Sequence, residues 1–393
     1  MKTSSNTIAL ILGSAITITT LTHAENTSDQ RPRMLSEIGI PTVDISGEAD
    51  RRVIIAQGTK RHWHGHPNTL LMPDGRTMFC TWQGRQDGTR KHGAPGGLLK
   101  RSDDGGMTWG ELLDVPQNWR DIGRGHPTIH RLVDRNGVAR LFLFSRTPDR
   151  SSMLQAMSAD GGATWTPTQP NGLVCWTAPQ SIEPVKDGRK HLMWYERDPQ
   201  GRPEPGVIWQ STSSDGGLTW GDSRAVVTFA GASEPAVVRS PDGSQLLLLM
   251  RENSRRYNSI YATSEDEGET WSAPRELPMA LTGDRHDGVY TPDGRLVIVF
   301  RDQAKRASTY QQFVAWIGTY EDIVENREGQ YRVKLLHTYA DTGYPGIEIL
   351  PDGTIVATTY AKLNRDDLDS VVSLRFKVQE LDRKLKVRRL RSD

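Results

Sequence analysis

Ser102-Asp103-Asp104-Gly105-Gly106-Met107-Thr108-Trp109 is the first of four stretches sharing the pattern Ser-x-Asp-x-Gly-x-Thr-Trp. The others occupy residues 158–165, 213–220 and 264–271, so that Trp109, Trp165, Trp220 and Trp271 lie 56, 55 and 51 residues apart. An aspartate that accepts backbone N–H groups, a glycine free to take positive φ and a closing tryptophan read together as a hairpin turn with a packed anchor. A second signal runs through the same region. Turns at Asp74-Gly75, Asn136-Gly137, Asp187-Gly188, Asp242-Gly243, Asp293-Gly294 and Asp352-Gly353 recur at spacings of 62, 51, 55, 51 and 59 residues. Each is followed by a β-rich run, such as residues 246–250, 296–300 and 355–360. Periods of this length, with about four strands in each, predict an all-β fold, a six-bladed β-propeller over residues 51–380. No long amphipathic helical period is present, which argues against βαβ folds.

The rest of the chain fits one repeating domain. Its 393 residues would ordinarily suggest two or three domains, but closed all-β rings run long as single units. The 37 Gly, and 11 Trp beside only 7 Phe, follow in part from the repeated turns. A net charge of +1 argues against a protein devoted to gripping nucleic acid, which needs a large basic surface. Residues 1–24 read as a cleaved secretory signal, with Lys2, an uncharged segment and small residues before Glu25. The mature chain is therefore expected to be secreted or periplasmic, without stable membrane insertion. Cys80 and Cys175 are too few for a disulfide framework; one disulfide between them is open in an oxidising compartment, but they read rather as two buried thiols. Residues 25–50 read as a loose leader and 381–393 as a solvated basic tail. Blade six lacks an outer strand after residues 371–378, and residues 52–57 can close the ring there.

In a propeller the innermost strand of each blade starts at the face where the second strand ends. The six starts read His66-Pro67, His126-Pro127, Ala178-Pro179, Glu234-Pro235, His286-Asp287 and Tyr344-Pro345. The second strands contribute Gln83 with Arg85, Arg146, Glu196 with Arg197, Arg251, Arg301, and Tyr360 with Lys362. Such a ring suits an anionic or heavily hydroxylated ligand, because arginine offers a planar fork that matches a carboxylate.

The four Asp boxes, the six blades and the leader together resemble the sialidase (neuraminidase) superfamily of Asp-box (BNR) repeat proteins. The resemblance covers nearly the whole mature chain and implies an exo-glycoside hydrolase. Family sialidases use a Tyr nucleophile paired with Glu, an Asp acid/base and three Arg that hold the substrate carboxylate. Gly343-Tyr344, with Ile349-Leu350-Pro351-Asp352-Gly353 behind it, resembles the nucleophile segment. Ser233-Glu234-Pro235, with Arg251 beyond it, resembles the segment carrying the Glu partner and one substrate-binding Arg. A neutral phenol with a carboxylate to take its proton suits an anionic sugar. Other positions depart from the family. Gly65-His66-Pro67 stands where the first Arg belongs, and the third falls near Gln311 and Gln312, with Arg306 a loose candidate. Asp87 is the carboxylate on the blade-one loop that can serve as acid.

The expected catalytic residues are thus Tyr344, Glu234 and Asp87, with Arg251, His66, His126, Arg301, His286 and Arg85 binding substrate. His62, His64, His66, His92 and His126 raise the alternative of a metal site, but hydrogen bonding to sugar, or acid/base work, suits them better. Neither a cofactor nor a metal is expected. The leading expectation is hydrolysis of an acidic or modified glycan. A polysaccharide lyase acting on a uronate glycan and a non-catalytic carbohydrate-binding propeller are the alternatives.

Overall fold

A computed structural model describes residues 38–88, 97–116, 118–119, 124–197 and 206–392, so the leader 1–24 and His92 lie outside the described residues. Six sheets form the ring, antiparallel apart from one added strand in blade five. The inner strands of blades one to six are Trp63–Leu71, Arg124–Val133, Ile182–Pro184, Ala232–Arg239, Gly283–Tyr290 and Thr342–Ile349. Arg52–Ala56 pairs antiparallel with Ser370–Phe376, so the N-terminal strand closes blade six as its missing edge requires.

The second strands explain why the apolar runs are continuous. In Leu246–Glu252, Leu246, Leu248 and Met250 pack toward blade three, while Leu247 and Leu249 pack toward blade five. In Leu296–Asp302 the same alternation sends Leu296, Ile298 and Phe300 one way and Val297 and Val299 the other. A strand sandwiched between two neighbours buries both faces and so loses the polar alternation of a half-exposed sheet. The core therefore consists of clusters in the gaps between adjacent blades. Each fully buried aliphatic side chain there contributes about 1.5–3 kcal/mol.

The Asp boxes lock these gaps from outside. In each box the serine hydroxyl takes the glycine N–H, as Ser158 does from Gly162 at 2.8 Å, and the aspartate takes the threonine N–H, as Asp160 does from Thr164 at 2.9 Å. The tryptophan then reaches the preceding blade: Trp220 donates to Gln155 at 3.1 Å and Trp271 to Gln210 at 3.1 Å.

Three segments differ from the sequence reading. Thr42–Asp44 is not part of a loose leader but pairs parallel with Tyr331–Leu336, and Val43 and Ile45 enter the core between blades five and six. The basic end folds as a helix, Val378–Ser392, in which Val378 and Leu381 are buried and Leu385 packs behind them. Asp382 on this helix pairs with Arg295 at 3.0 Å, and Lys384 pairs with Glu48 at 2.8 Å. Blade one is a three-stranded sheet among the described residues, with a single bridge from Lys100 to Leu112 where a fourth strand was expected. Cys80 and Cys175 are free and buried, in different blade gaps. No helix of the described residues is long and apolar enough to cross a membrane.

Blade five contains a fully buried ion pair, Arg332 to Asp302 at 2.9 Å, with Thr309 and the Ala304 N–H also on Asp302. Arg332→Met should destabilise the protein by about 3–5 kcal/mol, because Asp302 would keep a buried charge. Adding Asp302→Asn should recover part of that loss in denaturant titrations. Near the ring axis, Gln180 of blade three bonds Asp287 of blade five (2.9 Å) and the Pro345 carbonyl of blade six (3.1 Å). Burial pushes Asp287 up to about 7, and burial with the Asp287 charge pushes Glu348 up to about 8. The folded state keeps protons there that unfolded carboxyls release near pH 4. Stability from these groups should therefore fall as pH rises from about 4 to 8. Thermal midpoints measured across that range should fall less steeply for Glu348→Gln than for the native chain.

Candidate functional site

Four inner strands begin with the same local device. Ladder register breaks at Gly65/Asn68, Ser233/Ala236, Asp284/Asp287 and Gly343/Gly346, and the first residue inside each break has positive φ: His66 (55°), Glu234 (53°), Arg285 (53°) and Tyr344 (49°). In blades one, four and six the next residue is proline, which needs no ladder N–H partner and suits the bulge. Left-handed backbone at a non-glycine residue costs on the order of 1 kcal/mol or more and concentrates at functional sites. Directly opposite the residue before each bulge stand Gln83, Arg251, Arg301 and Tyr360 from the second strands. In blade two Gly125 takes the positive φ (76°), which puts His126 one residue further along.

Tyr344 and Glu234 meet at this rim, where the phenol donates to Glu234 Oε1. The same oxygen receives Arg251 Nη1 at 3.0 Å. Behind it the Glu234 N–H donates to Glu196 Oε1 at 2.7 Å, and Ser233 Oγ donates to Glu196 Oε2 at 3.1 Å. Burial first, and then the Glu234 charge, push Glu196 up to about 7 and raise the Tyr344 phenol well above its ordinary range. Arg251 and Arg285 oppose that rise at Tyr344.

The two rim histidines enclose the tyrosine. His126 stacks on Tyr344 with centroids 4.0 Å apart, and His66 stands edge-on to Tyr344 at 4.6 Å and to Tyr360 at 4.9 Å. His66 Nδ1 is fixed by Gln83 Oε1 at 2.9 Å, and Tyr360 donates to Asp341 at 2.6 Å. Arg285 crosses the axis from blade five to Gln180 (2.9 Å) and the Ala178 carbonyl (3.2 Å), and its guanidinium lies 5.3 Å from the Tyr344 ring centre. It floors the site.

Other expected residues lie elsewhere. His286 does not take the bulge position: it sits where its neighbours have proline, bonds the Leu281 carbonyl at 2.8 Å and packs on Phe300, away from Tyr344. Without that proline, blade five reads one residue out of step, and Arg285 holds the rim position. Arg301 is at the rim but is engaged by Asp284 and Asp341. Arg85 and Asp87 bind each other (Nε to Oδ2, 3.0 Å) on the loop after blade one's second strand. His62 bonds Thr59, and His64 accepts from Trp82 Nε1 at 3.0 Å with burial pushing it down to about 4. The bulge at His66 breaks the alternation that would align the three on one face. No group of three metal-ligating side chains occurs among the described residues.

Asp284, Arg255, Asp341 and Arg285 were not singled out from sequence. One signal was available for the last: His66 to Gln83 and Glu234 to Arg251 each span 17 residues and Tyr344 to Tyr360 spans 16, a spacing that counts back from Arg301 to Asp284 and Arg285 and passes over His286.

Residues 204–336 match the model of the BNR repeat-like domain family. A sialidase of Micromonospora viridifaciens is 25% identical over 256 residues, covering 61% of this chain and 33% of that protein, so the chain spans about a third of this relative's length. Among solved structures, a protein of unknown function from Dyadobacter fermentans superposes with a TM-score of 0.64 at 18% identity, covering 83% of this chain and 97% of that one. The sialidase of Trypanosoma rangeli in complex with sialic acid superposes at 0.55 and 14% identity, covering 87% and 61%. Residues 204–336 thus match a BNR repeat-like domain, and the ring as a whole has the six-bladed fold of the sialidase structures.

Proposed function

We propose that the protein is a glycoside hydrolase in which Tyr344 is the nucleophile and Glu234 its proton acceptor. The hydrogen-bonded chain from Tyr344 through Glu234 to Arg251 carries this reading. As the Tyr344 oxygen bonds to the anomeric carbon, its proton passes to Glu234 and the glycosidic bond breaks, with the leaving oxygen taking a proton from the acid. Water, giving a proton to that same acid residue now acting as base, then attacks the carbon, and Tyr344 leaves with its proton restored from Glu234. His126 and His66 hold the phenol in place, one stacked on its ring and the other edge-on to it. Asp87 is the acid in this reading. Its pair with Arg85 favours the ionised form, so Arg85 must release it as the leaving group arrives. The reading of residues 1–24 as a secretory signal supports action outside the cytoplasm.

The closed Arg85–Asp87 pair also favours a second reading, a propeller that binds a glycan without cleaving it. A screen for sugar release separates the two. Tyr344→Phe should lower turnover by at least about 10³-fold while changing glycan affinity less than about tenfold. Turnover surviving in that variant would remove Tyr344 from the mechanism. Glycan binding by the native chain without any product would establish the second reading.

A further inference from the structure

Beside the Tyr344–Glu234 pair lies a buried carboxylate that already uses the arginines a charged substrate would need. Asp284 is 1% exposed, whereas the side chains of Arg251, Arg255 and Arg301 around it are 20%, 25% and 12% exposed. Arg255 grips Asp284 with both terminal nitrogens, at 2.6 and 2.9 Å. Arg301 grips it through Nε (2.9 Å) and Nη2 (2.6 Å) and gives Nη1 to Asp341. Arg251 sets Nε 3.0 Å from Asp284 and gives Nη1 to Glu234. Gln303 adds a donor at 2.8 Å. A carboxylate ligand is held by two parallel N–H groups on one edge of a guanidinium. Asp284 fills the Nη1–Nη2 edge of Arg255 and the Nε–Nη2 edge of Arg301, and Arg251 and Arg301 each give Nη1 to a second carboxylate, Glu234 and Asp341. Burial alone would raise Asp284, but Arg251, Arg301 and Arg255 outweigh it and hold the carboxyl far below its usual range. The three cations are thus matched by three carboxylates, Asp284, Asp341 and Glu234.

Resting on the hydrolase reading, we propose that Asp284 is a specificity-determining residue that stands in for a substrate carboxylate. The site then accepts a glycosyl residue that is uncharged at this position, with hydroxyls taking the remaining single donors such as Arg251 Nη2. This narrows the expected acidic or modified glycan to one without a carboxylate beside the scissile bond.

Calorimetric binding of N-acetylneuraminate and glucuronate, each against an uncharged sugar of the same ring size, tests this on the native protein and on Asp284→Asn. The native protein should show no carboxylate binding below about 10 mM, where removing a charge-assisted pair costs affinity tenfold or more. Asp284→Asn should gain at least about tenfold for both carboxylates. Paired release assays on glucosides and glucuronides need no variant and cover the case in which Asp284→Asn does not fold. Sub-millimolar carboxylate binding by the native chain, faster release of the charged sugar, or a folded Asp284→Asn with no gain would each overturn the proposal. Binding preference is read equally well in Tyr344→Phe, so a failed nucleophile assignment leaves this result separately interpretable.

Discussion

The site depends on a backbone constraint repeated around the ring, a bulge at the start of an inner strand whose first residue is left-handed. An uninterrupted ladder would send alternate side chains into the two flanking blade gaps, as it does in the second strands. The bulge releases one residue per blade from that alternation. His66, Glu234, Arg285 and Tyr344 therefore meet one another near the ring axis instead of entering the gaps between blades. Blade packing holds the strain in place, because each strand is clamped on both sides. Gly346 shows how tightly: a Cβ there would meet Thr69 Oγ1 of blade one at 2.2 Å.

Charge organises what the bulges bring together. Glu234 is the junction, accepting from Tyr344 and Arg251 through one oxygen while its backbone leans on Glu196. A phenol so deeply placed holds its proton strongly, and an adjacent carboxylate is what makes its transfer feasible. Asp284 repeats the arrangement one blade away, with three guanidiniums around a single carboxylate. The resulting pocket is densely charged and yet nearly balanced, so its abundance of arginine is a poor guide to the charge of its ligand.

Much of the fold was legible in the sequence because propeller blades are local. The Asp-Gly turns and the boxes ending at Trp109, Trp165, Trp220 and Trp271 lie within single repeats, and the closing strand before blade one was legible from the missing edge of blade six. Tyr344 and Glu234 were legible for the same reason, each marked by the proline that follows its bulge. Blade five has no such mark, and there the reading chose His286 over Arg285. The roles of Arg255 and Asp341 depend on side chains from neighbouring blades meeting at Asp284 and Arg301, which no local pattern encodes. The strand Thr42–Asp44 and the helix Val378–Ser392 were hidden in segments whose polar composition outweighed a few apolar anchors, Val43, Ile45, Val378 and Leu381.

The central claim is that Tyr344 bonds to the sugar, and a covalent intermediate is its most direct signature. Rapid-quench digestion and peptide mass mapping of the enzyme turning over an activated glycoside would find it. The account predicts one added glycosyl mass on the peptide containing Tyr344, absent from Glu234→Gln. Product formation with that peptide unmodified, and the glycosyl mass on a carboxylate instead, would contradict it.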